Sequence, residues 1–238
     1  VNALGGNPRP VPAYGGIGYD GPVESAKAAE DWVRRGFLGV KAKIGYPTVA
    51  EDLAVIQAMR KAAGPDIALM VDYNQSLSPV EAIERLRYIE DEGGSLVWVE
   101  EPTLAHDYQG HAQIAHEIRT PIQCGENWWG ARDMQHAIEA CASDYMMPDV
   151  MKIGGVTGWM RAAALGETHG IRLSSHLWPE ISAQLLCVTP TGHWLEYADW
   201  WNPVVKEPLR IEKGMACVEG VLGSGVEWNE DAVSRYLA

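Results

Sequence analysis

Short runs of β-branched and aromatic residues alternate with longer stretches of helical period from residue 11 to about residue 200. The apolar runs predict strands near 11–15, 39–44, 68–73, 96–101, 121–125, 145–151, 171–175 and 193–197. The amphipathic stretches between them predict helices near 24–36, 48–63, 79–93, 107–118, 131–141, 156–169 and 180–188. Boundary signals agree with this division. Ser78 precedes a proline at the first helical position, Asp107 can cap the next helix, and Gly64, Gly93 and Gly170 stand where helices should stop. Seven strand–helix units and an eighth strand predict an α/β fold in which a parallel sheet closes into a barrel. The rival is an open doubly wound sheet, but no Gly-x-Gly-x-x-Gly follows a strand here.

After Glu207 the pattern changes. Pro208 to Glu212, Met215 to Glu219 and the glycine-rich Gly220 to Gly225 predict short strands and turns with no evident barrel role. The chain therefore divides into a barrel over 1–207 and a tail over 208–238 that is expected to pack on another domain or subunit. The sequence opens at Val1 without methionine and passes almost at once into the first strand, which suggests a fragment or a processed product.

Three acids close successive apolar runs: Asp72 in Met-Val-Asp-Tyr-Asn, Glu100 in Val-Trp-Val-Glu-Glu-Pro and Glu126 in Gln-Cys-Gly-Glu-Asn. In a parallel barrel the C-terminal strand ends share one rim, so the three carboxylates should converge. Taken singly, each acid reads equally well as a helix N-cap. In series they repel one another unless a cation sits between them, and an all-oxygen donor set favours Mg²⁺ over zinc. Strand alternation puts Lys41 and Lys43 on one face, and Asp72 with Asn74 on one face. An inward Lys-x-Lys, less basic through burial and mutual repulsion, suits a general base, whereas on an edge strand the same pattern is merely solvated. Asp149 and His176 end neighbouring strands, and an aspartate behind a histidine fixes its tautomer and raises its basicity. The other six histidines, His193 among them, are expected to be solvated or structural. Glu196 ends the eighth strand amid acids and is expected to hold a proton and donate it to a hydrogen bond. Glu101 should face away from Glu100. Gly154-Gly155 could receive an anion at a helix start, though tight packing is the stronger reading. Trp128, Trp129, Trp178 and Trp194 could wall an apolar pocket or equally belong to the core.

Bulk properties narrow the partners. Of 238 residues 47% are hydrophobic, an ordinary globular share, and the formal charge is −13. That charge argues against nucleic acid and anionic membranes. No signal peptide or membrane-spanning run is evident. Cys124, Cys141, Cys187 and Cys217 stand singly, which argues against zinc or disulfide frameworks and fits a reducing cytoplasm.

These segments together resemble the mandelate racemase/muconate lactonizing enzyme family of the enolase superfamily. The resemblance rests on Val40-Lys-Ala-Lys-Ile-Gly-Tyr-Pro, Val71-Asp-Tyr-Asn-Gln-Ser-Leu, Glu100-Glu-Pro-Thr-Leu-Ala-His-Asp-Tyr and Gly125-Glu-Asn-Trp. It extends through Met147-Pro-Asp-Val-Met-Lys-Ile-Gly-Gly-Val-Thr-Gly-Trp, Ser174-Ser-His-Leu-Trp-Pro-Glu and His193-Trp-Leu-Glu. It implies a (β/α)7β modified TIM barrel with Mg²⁺ on Asp72, Glu100 and Glu126. Lys43 and His176 would be acid/base groups on opposite faces of a substrate α-carbon, Lys41 would assist Lys43 and touch the substrate carboxylate, and Asp149 would orient His176. Glu196 would hydrogen-bond the developing enediolate and Asn74 the α-hydroxyl. Two departures stand out. The family's N-terminal α+β capping domain has no counterpart here, and its serine just after the first strand is replaced by Gly16.

The resemblance implies α-proton abstraction from a small 2-hydroxy carboxylate, racemase-like, in a homo-oligomer. The alternatives are an acid-sugar dehydratase with the same site, and a non-catalytic Mg²⁺-binding barrel lacking its lid.

Overall fold

The structure, a computed structural model, describes residues 1–236. Eight parallel strands alternate with seven helices. The strands are β1 (Val11–Ile17), β2 (Gly39–Lys43), β3 (Ala68–Asp72), β4 (Trp98–Glu100), β5 (Ile122–Cys124), β6 (Tyr145–Met146), β7 (Arg172–Leu173) and β8 (Leu195–Tyr197). The helices are α1 (Gly21–Arg34), α2 (Val49–Ala63), α3 (Pro79–Asp91), α4 (Tyr108–Glu117), α5 (Ala131–Glu139), α6 (Gly155–His169) and α7 (Pro179–Cys187). Neighbours pair in sequence order from β1 to β7, and β8 pairs back onto β1. The Leu173 and Ser175 amides donate to Thr191 and Trp194 carbonyls, which joins β7 to the β8 side and closes the ring. The expected barrel is present, and an open sheet is excluded.

Local chemistry explains the helix starts. Ser78 and Asp107 accept from the backbone amides of Glu81 and Gly110. Thr48 and Glu51 form a reciprocal capping box ahead of α2. At α6 a Cβ on Gly158 would come within 1.9 Å of the Ile153 carbonyl oxygen, so Gly158 serves close packing, whereas Gly154 and Gly155 supply left-handed backbone at φ 105° and 66°. Several strands are shorter than the apolar pattern suggests. β4 stops at Glu100 because Glu101 turns into left-handed backbone at φ 37°, and β6 stops before Pro148, which has no amide to give a ladder.

Alternation gives the barrel interior two zones. Tyr14, Met70 and Trp98 pack in its lower part, where Tyr14 and Trp98 meet edge to face at 5.5 Å and Trp194 approaches Tyr14 at 6.5 Å. His193 packs at a tilt against Tyr145 at 4.9 Å and against Trp98, so it belongs to this plug and not to an outward phase. Two residues further along the same strand faces stand Gly16, Asp72, Glu100 and Glu196.

The tail is partly a barrel element, contrary to expectation. β9 (Arg210–Glu212) and β10 (Met215–Cys217) form a hairpin whose second strand pairs antiparallel with the start of β1, Val11 opposite Ala216. The physical reason is that β1 begins ahead of the ring and offers free backbone groups there, while Leu209, Ala216 and Val218 supply apolar side chains that become buried. Beyond the hairpin some large apolar side chains stand at the surface. Leu222 and Trp228 are exposed, and Trp228 helps line a groove of about 260 Å³ with Met151, Trp178, Ile181 and Trp201. A short helix, α8 (Glu230–Val233), follows. Among the described residues no helix is long and apolar enough to cross a membrane, and the four cysteines are unpaired.

Candidate active site

Each predicted acid leaves its strand at the C-terminal rim, and the register brings them level: Lys43 opposite Asp72, and Asp72 opposite Glu100. Glu126 follows β5 after Gly125, whose φ of 140° and closeness to the Met147 backbone (2.9 Å from a notional Cβ) require glycine. Asp72, Glu100 and Glu126 each present an oxygen within 4.8 Å of the others, and among the described residues they form the one cluster able to hold a metal ion. The donor set is hard oxygen, buried and crowded. Burial, then the neighbouring carboxylates, pushes Glu100 well above the usual carboxylate range despite Lys41 beside it. Burial likewise raises Asp72, against the pull of Lys41 and Lys43. Acids that resist ionisation for want of a countercharge fit a divalent cation.

The lysines do not share one environment. Lys41 is buried, with its Nζ 2.7 Å from Glu100 and 2.8 Å from Glu196 and 5.6 Å above the Tyr14 ring. Burial would make it less basic, but Glu100 and Glu196 outweigh burial and raise its pKa well above normal. The expectation of a buried, weakly basic Lys41 is therefore corrected: two carboxylates hold its proton. Lys43 lies half-exposed at the rim, 3.4 Å from Asp72, and donates to Asn74 Oδ1. Because that oxygen is engaged, the Asn74 amide N–H groups remain for a ligand.

On the other side of the acids, His176 Nδ1 lies 2.7 Å from Asp149 and its Nε2 3.2 Å from Glu126. A carboxylate only accepts, so Nδ1 carries a proton and Nε2 faces the acids. Burial opposes charging His176, but the Asp149 hydrogen bond and the Glu196 and Glu126 charges outweigh it and raise its pKa. Asp149 resists burial in turn and is held below the usual range by His176 and by the Met151 and Lys152 amides. Trp178 Nε1 adds a donor at 3.3 Å.

Glu196 departs from expectation. Burial would raise it, yet Lys41, His176 and the Leu177 amide bring it down to about 2, so in this arrangement it is ionised and accepts hydrogen bonds. A proton could be assigned to it only without seeing Lys41 beneath it. The tryptophans also divide. Trp129 and Trp178 are exposed near the rim, whereas Trp128 is buried and Trp194 belongs to the lower plug.

Sequence reasoning left Glu101 in a structural or supporting role and passed over Asn127 and Lys152. Glu101 turns away from Glu100 as expected, but it is fully buried and accepts from Asn127 Nδ2 at 2.8 Å. Burial and then the nearby Glu126 charge raise its pKa to about 8. Asn127 also donates to Glu126 and accepts from Lys152. The available signal was the dipeptide Glu126-Asn127: a polar residue directly after a predicted ligand. Asp52 was missed too. It is buried and ties the loop after β2 through the Gly45 and Tyr46 amides, Tyr73 and Arg85.

The chain is 36% identical over 197 residues to an L-talarate/galactarate dehydratase of Salmonella typhimurium, covering 83% of this chain and 49% of that protein. It is 33% identical over 234 residues to a D-galactarolactone cycloisomerase of Agrobacterium fabrum, covering 89% and 60%. Among solved structures, an enolase from Bradyrhizobium complexed with magnesium and mandelic acid superposes with a TM-score of 0.93 at 42% identity. That match covers 98% of this chain and 64% of the other. The chain thus spans about half to two thirds of the length of these relatives. A family model described as enolase C-terminal domain-like matches residues 24–232. With its closed barrel and its acids gathered at one rim, the chain belongs to the enolase C-terminal domain-like family.

Proposed function

We propose that this barrel catalyses Mg²⁺-dependent abstraction of the α-proton of a hydroxy carboxylate. The observation that carries the reading is the placement of an amine and an imidazole on opposite flanks of one acid cluster: Lys43 beside Asp72, and His176 Nε2 beside Glu126. Asp72, Glu100 and Glu126 would hold the cation, which when bound stabilises the negative charge that develops on the substrate's carboxylate. His176 takes or returns a proton at Nε2 while Asp149 keeps Nδ1 protonated. Lys43 does the same at Nζ from the other side. Lys41 keeps Glu100 and Glu196 oriented and lends a positive charge near the substrate carboxylate, and Asn74 offers its free amide N–H to the α-hydroxyl. Two opposed groups suit racemisation, in which each serves one enantiomer.

A second reading is dehydration of a polyol acid, in which the proton is removed and a β-hydroxyl then leaves. It is favoured by the name of the Salmonella relative and by Gly16, where a notional Cβ meets nothing within 4 Å. That space admits a larger or more polar acid than mandelate, so weak mandelate turnover is expected. The exposed Leu222 and Trp228 support the reading of residues 208–238 as a segment that also meets a capping domain.

The test is to incubate the protein with Mg²⁺ in D₂O with a panel of 2-hydroxy and polyol acids, scoring α-deuterium and product. Exchange with retained hydroxyls supports racemisation, and water loss supports dehydration. Absence of exchange from every acid, with Mg²⁺ still bound, would leave a non-catalytic Mg²⁺-binding barrel. His176→Asn should abolish exchange from one enantiomer and spare the other.

A further inference from the structure

The loops after β5 and β6 meet beside Glu126 through two residues outside the proton-transfer groups and the three acids. Asn127 Nδ2 lies 2.8 and 3.1 Å from the two oxygens of Glu101 and 3.1 Å from Glu126 Oε1. Its Oδ1 accepts from Lys152 Nζ at 2.9 Å. An ammonium only donates, so Lys152 decides which way the Asn127 amide faces, and with Oδ1 committed the NH₂ must point at the acids. His176 Nε2 meets the other Glu126 oxygen, Oε2, at 3.2 Å. Asn127 therefore holds one oxygen of the Glu126 carboxylate, while the His176 ring lies against the other. Lys152 also ties the two sides together, since its backbone amide donates to Asp149, the partner of His176. The Gly130 amide donates to the Lys152 carbonyl and braces the same two loops.

We propose that Asn127, oriented by Lys152, is a positioning residue that fixes the Glu126 carboxylate for cation binding. The inference rests on the proposed cation site and adds to it a defined support for one of its three acids. Groups that orient a metal ligand from outside commonly change metal affinity by about 10–100-fold when removed, because the ligand must then be ordered at the moment of binding. Near-isosteric Asn127→Leu removes the amide but keeps the volume. Lys152→Met removes the cation and frees the amide to turn its oxygen toward the acids.

The test is calorimetric titration of Mg²⁺ into the metal-free 238-residue chain, comparing wild type, Asn127→Leu, Lys152→Met, the double variant and Lys152→Arg. The expected result is a loss of about 10–100-fold for Asn127→Leu and a smaller loss for Lys152→Met. The double variant should be no weaker than Asn127→Leu alone, because Lys152 acts through Asn127. Lys152→Arg, which keeps a cationic donor, should recover most of the affinity. A merely structural role would not give that coupling or that recovery. Unchanged affinity in Asn127→Leu, or losses that multiply in the double variant, would overturn the proposal. Should Asn127→Leu fail to fold, Lys152→Met decides the matter, and wild-type affinity there overturns it. A wild-type chain that binds no Mg²⁺ would instead overturn the cation reading itself.

Discussion

The two ends of the barrel interior are built by the same strands and differ in nearly every physical respect. In the lower part, Tyr14, Met70 and Trp98 are fully buried among aromatic rings and contribute through area removed from water. One inward step up those strands, Asp72 and Glu100 are equally buried but ionisable, and burial works against their ionisation. Lys41 sits at the junction, its ammonium above Tyr14 and between Glu100 and Glu196. The difference teaches that the plug is held by ring packing, whereas the rim gathers carboxylates that a cation would neutralise.

The sharpest way to break this contrast is pH. Glu101 rises from an ordinary value near 4.5 to about 8 on folding. A raised acid contributes stability that is present below its unfolded pKa and is lost as pH climbs through the folded value. His176, also raised, is lost in the same direction from about neutrality. Asp149 and Glu196 are lowered, so their contribution is lost only on acidification, down to about pH 2 for Glu196. The metal-free chain should therefore lose on the order of several kcal/mol between mildly acidic pH and pH 8. Urea denaturation at pH 5, 6.5 and 8 should show that slope, with Mg²⁺ and Glu101→Gln each reducing it. A flat profile would refute the picture of an unfinished rim.

The next effect isolates the plug. Trp98→Ala should cost about 3–5 kcal/mol in urea denaturation while leaving the affinity of the remaining folded protein for Mg²⁺ unchanged. A large loss of Mg²⁺ affinity would mean that the two zones are coupled. Glu126→Gln is its mirror image. It should weaken Mg²⁺ binding by about 100-fold or more, near 2.7 kcal/mol, with the melting temperature of the metal-free chain no lower than wild type. If instead it unfolds the barrel, the acid is structural and the cation reading loses a ligand.

The smallest effect belongs to the tail. Leu222→Ser, at a side chain 88% exposed, should change the stability of this chain by no more than about 0.5 kcal/mol. Gly214 in the hairpin behaves differently. Its φ is 73° and a Cβ would come within 2.4 Å of Leu38, so Gly214→Ala should cost about 1–3 kcal/mol. Equal effects at both positions would erase the distinction between the anchored and the exposed halves of the tail.

Much of this was legible in the residues alone because it depends on period and order. A step of two along β2, β3 and β4 places Lys41, Lys43, Asp72 and Glu100 on one face whatever surrounds them, and alternation with helices brings their ends to one rim. Asp149 beside His176 followed from neighbouring strands in the same way. Tertiary structure decided the rest, because it depends on which groups approach from non-adjacent strands. Only the closed ring brings Glu196 from β8 to Lys41 on β2, and that pairing reverses two expectations at once: Lys41 becomes more basic and Glu196 more acidic. The pairing of β10 with β1 likewise joins segments far apart in sequence, where no local period reports the contact. The chain's own order determined what chemistry each strand carries to the rim. Folding decided which charges meet there, since Coulomb energies and desolvation depend on distances through space that sequence spacing does not contain.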